Sequence, residues 1–135
     1  MSERLEQFRA FRERMNARIH EHGTLTTKRF FNLDGRCYEP GALPVRTKEM
    51  LGLATSLVLR CDDCVAYHVI RCLEEGVTEA ELMEVFDVGL IVGGSIVIPH
   101  LRRAHALLEE LLAEGEPEGG WLGSGGAARG DGPEA

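Results

Sequence analysis

The chain has 135 residues, enough for one domain with a single ordinary core and too few for two. Its formal charge of −7, from 15 Lys and Arg against 22 Asp and Glu, argues against a polyanion as partner, because nucleic-acid binding rests on clustered positive charge. At 44% apolar, 27% charged and only 6% aromatic, the composition is that of a small soluble protein leaning to helix.

No apolar run approaches the roughly eighteen residues of a spanning helix. Met1-Ser2-Glu3-Arg4 is charged with no apolar stretch behind it, so neither membrane nor export signal is expected and the chain is read as cytoplasmic. Four cysteines (37, 61, 64 and 72) in such a chain favour redox or metal chemistry over a structural disulfide framework.

From Ser2 to about His20, Leu5, Phe8, Phe11, Met15 and Ile19 recur every three or four positions among arginines, which predicts an amphipathic helix ending near Gly23. Residues 24–43 predict a short helix over Thr26–Phe31, then turns at Asp34-Gly35 and Pro40-Gly41. Cys37, with no His or Cys at ligand spacing, reads as a buried or half-buried thiol. After Pro44 a broadly apolar helix is expected from Thr47 to Leu59, with Glu49 in its first turn.

Cys61-Asp62-Asp63-Cys64-Val65-Ala66-Tyr67-His68 then opens a helix to about Glu75, ended by Gly76. Two thiols separated by two residues can close into a disulfide within one turn, and a helix start stabilises a thiolate through its unpaired N–H groups. His68 follows Cys64 at i+4, on the same face, where an imidazole could take the thiol proton directly or through one water. If the chain reverses near Arg60, the two helices form an antiparallel pair. Glu49 then lies level with about residue 71, roughly 4.5 Å along the axis from His68 and about 10 Å from Cys64. The residues thus line up as a relay of Glu49, His68 and Cys64, with water filling the gaps. Cys72, two turns beyond Cys64, reads as packing.

Thr78-Glu79-Ala80-Glu81 is a capping box, and an apolar helix follows through Val92. Gly93-Gly94 breaks it, Ser95 is the expected next cap, and Ile98-Pro99-His100 leads into a last helix to about Ala113. His100 and His105 read as hydrogen-bonded structural residues. From Gly115 the Gly-rich composition predicts a flexible tail, giving a helical domain over residues 1–114 and a tail over 115–135, with Trp121 the residue in it able to dock.

The spacing Glu49, eleven residues, Cys61-x-x-Cys64, three residues, His68 resembles the signature of the carboxymuconolactone decarboxylase family, and within it the branch typified by the alkylhydroperoxidase AhpD. The similarity runs from about Gly41 to Leu112. It implies an all-α fold with a central antiparallel helix pair, assembly into homotrimers or hexamers, and thiol-dependent reduction of a small hydroperoxide. It also implies roles: Cys64 as the attacking thiolate, Cys61 as the resolving thiol, His68 as proton acceptor and Glu49 as its orienting partner. No cofactor is implied; the reductant is a dithiol, carried in AhpD-like enzymes by a lipoylated protein. One departure is Asp63, where AhpD has histidine. With Asp62 it is expected to raise the pKa of nearby thiols by charge repulsion.

Two other readings stay open. Relatives lacking the cysteine pair decarboxylate a lactone, chemistry for which Glu49 and His68 would suffice. Alternatively the chain is a non-enzymatic oligomer, either zinc-bound through Cys61, Cys64 and His68, with His100 a candidate fourth ligand, or purely structural. An oligomer is expected on its own grounds too, since residues 50–58 and 82–98 are apolar on more than one face.

Overall fold

In a computed structural model, residues 2–122 are described. They form six α-helices and one 3₁₀ turn, with no strand among the described residues. The chain divides into two compact units, Met1–Glu39 with Glu116–Ala135, and Pro40–Gly115.

The first unit carries α1 (Glu3–His22) and α2 (Leu25–Cys37). Each is opened by a hydroxyl: Ser2 Oγ accepts from Leu5 N at 3.2 Å and Thr24 Oγ1 from Thr27 N at 3.3 Å, satisfying donors that a helix start leaves unpaired. Helix α2 is longer than the Thr26–Phe31 helix expected, because Asp34-Gly35 continues the helix instead of turning. A glycine inside a helix costs only about 1 kcal/mol, and Tyr38 N–H closes the last turn on the Gly35 carbonyl before Pro40 halts it. Cys37 is exposed, against the expectation of burial: as the last residue of α2 it sits where the helix runs out into solvent-facing turns. Of the α1 stripe, Leu5 is buried while Phe11 remains exposed, with the Arg14 guanidinium over its ring. Trp121 and Leu122 are buried, so the tail's tryptophan packs; residues 123–135, where the rest of the expected tail falls, lie outside the described residues.

The second unit contains α3 (Val45–Leu59), α4 (Asp62–Glu74), α5 (Glu79–Gly93), the 3₁₀ turn Ser95–Val97 and α6 (Ile98–Glu114). Helix α3 is central, packing on α4 and α5, and α6 packs on α4. Leu53 and Leu57 of α3 are fully buried, as are Val69 and Ile70 of α4 and Leu82 of α5. Gly89 is what lets α3 and α5 approach so closely: a Cβ there would stand 3.1 Å from Leu57 side-chain atoms and 3.4 Å from the Ala54 carbonyl oxygen.

The expected reversal occurs at Arg60, which adopts the left-handed conformation (φ 60°, ψ 39°), and Cys61 N–H returns to the Ser56 carbonyl at 3.1 Å. This places α3 and α4 side by side. The Thr78–Glu81 capping box forms as expected, and Arg46 at the start of α3 reaches the Glu81 carboxylate. The arginine hydrogen bond, with those from Thr78, holds the Glu81 carboxyl down to about 2. Ser95 does not cap α6; Gly94, at φ 82°, starts a 3₁₀ turn instead, and α6 begins at Ile98 with Pro99 in its first turn, where its missing N–H costs nothing.

No helix among the described residues is long and apolar enough to cross a membrane.

Candidate active site

The four side chains singled out by spacing lie on the α3–α4 pair, Glu49 on α3 and Cys61, Cys64 and His68 at the start of and along α4. Cys61 is the N-cap of α4, its sulfur accepting from Cys64 N–H at 3.3 Å, and the two cysteines are joined in a disulfide with Cα atoms 5.2 Å apart. Cys61 is half-buried and Cys64 exposed. One turn further along α4, His68 is buried.

Across the helix pair Glu49, 1% exposed, brings Oε2 to 2.7 Å from His68 Nδ1. A carboxylate only accepts, so Nδ1 carries the proton it donates, and in the neutral ring Nε2 is then the proton acceptor. The second carboxylate oxygen, Oε1, lies 3.7 Å from Arg71 Nε. Arg71 also holds Glu74 at 3.1 Å and Glu75 at 2.9 Å. Burial on its own would lower the Arg71 pKa; Glu74, Glu49 and Glu75 outweigh it, and the pKa is raised. A permanent cation therefore compensates a carboxylate removed from water, which isolated would be costly.

The sequence reading missed Arg71. The signal was present: it follows His68 by three residues on the same helix face and precedes Glu74 and Glu75 at i+3 and i+4. Cys72 is fully buried, and burial, aided by the nearby charge of Glu49, pushes its thiol up to about 12; it is packing, as expected, with no thiolate to offer at neutral pH.

His100 is hydrogen-bonded, as expected, and its partner is Asp62: Nδ1 lies 2.7 Å from Oδ1, while Arg103 Nη1 lies 3.2 Å from Oδ2. His105 packs its ring against Phe86, centroids 5.3 Å apart. These contacts disperse the zinc ligands proposed from sequence. The two sulfurs are bonded to each other, His68 faces Glu49 and His100 faces Asp62. No three His, Cys, Asp or Glu side chains among the described residues are grouped to hold a metal ion.

The model of the carboxymuconolactone decarboxylase family matches residues 24–106, and the chain belongs to that family. Two solved structures from Thermotoga maritima superpose on it. One, of a carboxymuconolactone decarboxylase family protein for which a part in antioxidative response has been suggested, has a TM-score of 0.77 at 55% identity, covering 79% of this chain and 91% of that one. The other has a TM-score of 0.79 at 54% identity, over 81% and 96%. An uncharacterised protein of Cupriavidus necator is 31% identical over 75 residues, 56% of this chain and 66% of that protein, just under two thirds of its length. A protein of the cox locus of Paracoccus denitrificans is 30% identical over 82 residues, 61% and 74% of the two chains.

Proposed function

We propose that the chain is a thiol-dependent hydroperoxide reductase of the AhpD type, serving antioxidant defence in the cytoplasm, with Glu49, Cys61, Cys64 and His68 as its catalytic residues. The observation that carries this reading is a Cys61–Cys64 disulfide at the open start of α4 with a buried Glu49–His68 pair one turn behind it.

From the dithiol form, the Cys64 thiolate attacks a peroxide oxygen, the O–O bond breaks, and Cys64 becomes a sulfenic acid while an alkoxide departs. His68, having accepted the Cys64 proton directly or through water, gives it to the alkoxide, which leaves as alcohol. The Cys61 thiol attacks the Cys64 sulfur, forming the disulfide and releasing water. A dithiol, carried by a lipoylated protein, restores both thiols and is itself oxidised to a disulfide. One hydroperoxide and one dithiol thus yield alcohol, water and one disulfide.

Assembly into a trimer or hexamer fits the apolar side chains a single chain leaves exposed on α3 and α5, among them Leu51, Leu59, Val88 and Ile91.

The test is peroxide consumption driven by dihydrolipoamide. Cys64→Ser is expected to abolish it, and undiminished turnover in that variant would overturn the reading. A Cys61→Ser, Cys64→Ser double variant that stays fully active on a lactone would assign the site to proton transfer at Glu49 and His68.

A further inference from the structure

The first turn of α4 carries two carboxylates beside the sulfur pair, a placement that by itself disfavours a thiolate. The fold supplies a counterweight to one of them. Both oxygens of Asp62 are engaged from α6, Oδ1 by His100 Nδ1 at 2.7 Å and Oδ2 by Arg103 Nη1 at 3.2 Å, across 38 and 41 residues of sequence. Asp62 stands between the two cysteines in sequence, one residue from Cys61 and two from Cys64, and α4 packs on α6.

We propose that Asp62, His100 and Arg103 are positioning residues for the sulfur pair: the clamp from α6 pins the first turn of α4, and the Arg103 guanidinium offsets the Asp62 charge that opposes negative sulfur. This rests on Cys61 and Cys64 cycling between disulfide and dithiol, the uptake of two electrons and two protons, but requires no particular oxidant.

The sign follows from charge. Without Arg103, Asp62 keeps only its hydrogen bond to His100 and loses the guanidinium charge, any thiolate of the reduced pair is disfavoured, and the equilibrium moves toward disulfide. Without Asp62, the Arg103 charge on α6 no longer has a carboxylate at the first turn of α4 to offset it, and the equilibrium moves toward the reduced form. At separations of several ångströms and in a solvent-exposed setting the effect is on the order of three- to tenfold in the equilibrium constant. Asp62 and Arg103 keep 44% and 59% of their side-chain surface exposed, so salt is expected to shrink it.

The experiment equilibrates the full chain with reduced and oxidised glutathione at pH about 8.5, where an ordinary thiol is half ionised, and traps the thiols with iodoacetamide. Arg103→Gln is expected to shift the pair toward disulfide three- to tenfold, up to about 30 mV, and to slow alkylation of the reduced form. Arg103→Lys should stay near wild type, Asp62→Asn should shift the opposite way, and Asp62→Asn with Arg103→Gln should lie closer to wild type than Arg103→Gln alone. In 1 M NaCl the differences should contract. Arg103→Gln and Asp62→Asn potentials indistinguishable from wild type, or an equal shift from the exposed neighbour Arg102→Gln, would overturn the clamp; a lowered melting temperature with an unmoved potential would do the same. The two proposals fail separately. Shifted potentials in a chain that consumes no peroxide keep the clamp and sink the peroxidase, and a working peroxidase with unshifted potentials does the reverse.

Discussion

Glu49 on α3 and His68 on α4 meet at 2.7 Å across nineteen residues of sequence. The contact follows from the reversal at Arg60, which returns α4 along α3 and sets one carboxylate opposite one imidazole. The carboxylate accepts the hydrogen bond of Nδ1–H and leaves Nε2 as the basic nitrogen. Glu49→Gln fills the same space but can present an amide N–H to Nδ1, which favours the opposite tautomer. The initial rate of peroxide consumption at fixed dithiol is therefore expected to fall about 10- to 100-fold, less than the roughly 100- to 10,000-fold a positioned acid–base group itself supplies, because Glu49 acts through the imidazole. A variant that melts like wild type and keeps its rate would show that the pair is structural only.

Arg71 stands behind that pair, touching Glu49, Glu74 and Glu75. Arg71→Met keeps much of the aliphatic stem and removes the charge, leaving a fully buried carboxylate with two others nearby. The expected cost is about 1–3 kcal/mol of stability, the usual scale for a buried charged group that loses one of its partners. Urea unfolding of the dithiol form reads it directly. An unchanged midpoint would mean that Arg71 does not help to hold the Glu49 charge.

The cysteines should separate cleanly by reactivity. Cys64 is exposed at a helix start, whereas Cys72 is fully buried with its thiol pushed up to about 12. After reduction, iodoacetamide at pH 8 is expected to modify Cys64 and the exposed Cys37 in the native protein and to reach Cys72 only on unfolding, as read by peptide mass. Labelling of Cys72 at the native-state rate of Cys64 would contradict the packing described for α4.

What the sequence made legible was local. The Thr78–Glu81 box, a side chain acting within three residues, was readable as a helix start and caps as its chemistry requires; Ser2 and Thr24 cap α1 and α2 by the same chemistry without having been read as caps. The Glu49–His68 meeting was legible because a hairpin of two helices reduces to counting residues on either side of one turn. Cys37 and the length of α2 were not, because a glycine and an aspartate that usually mark a turn are tolerated in a helix when the following residues close its end. The Asp62 contacts with His100 and Arg103 were out of reach for a different reason. They depend on where α6 lands on α4, which no spacing within either segment encodes.

Glu81 provides a pH test of the α3–α5 junction. Its carboxyl is held down to about 2 from an ordinary 4.5, first by Arg46 and then by Thr78. A depressed folded-state pKa stabilises the fold above the unfolded value, and that stabilisation is lost as pH falls from about 4.5 toward 2. Glu81→Gln removes the titrating group while leaving an amide oxygen for the cap. The wild-type melting temperature is thus expected to drop more steeply than that of Glu81→Gln between those limits, the two curves converging at the acid end. Because Glu81 lies at the surface, the gap should be small and should narrow in high salt, as ion pairs facing water are screened. Parallel curves across the window would show that Arg46 and Glu81 do not act as an ion pair in solution, and that the capping box alone fixes the start of α5.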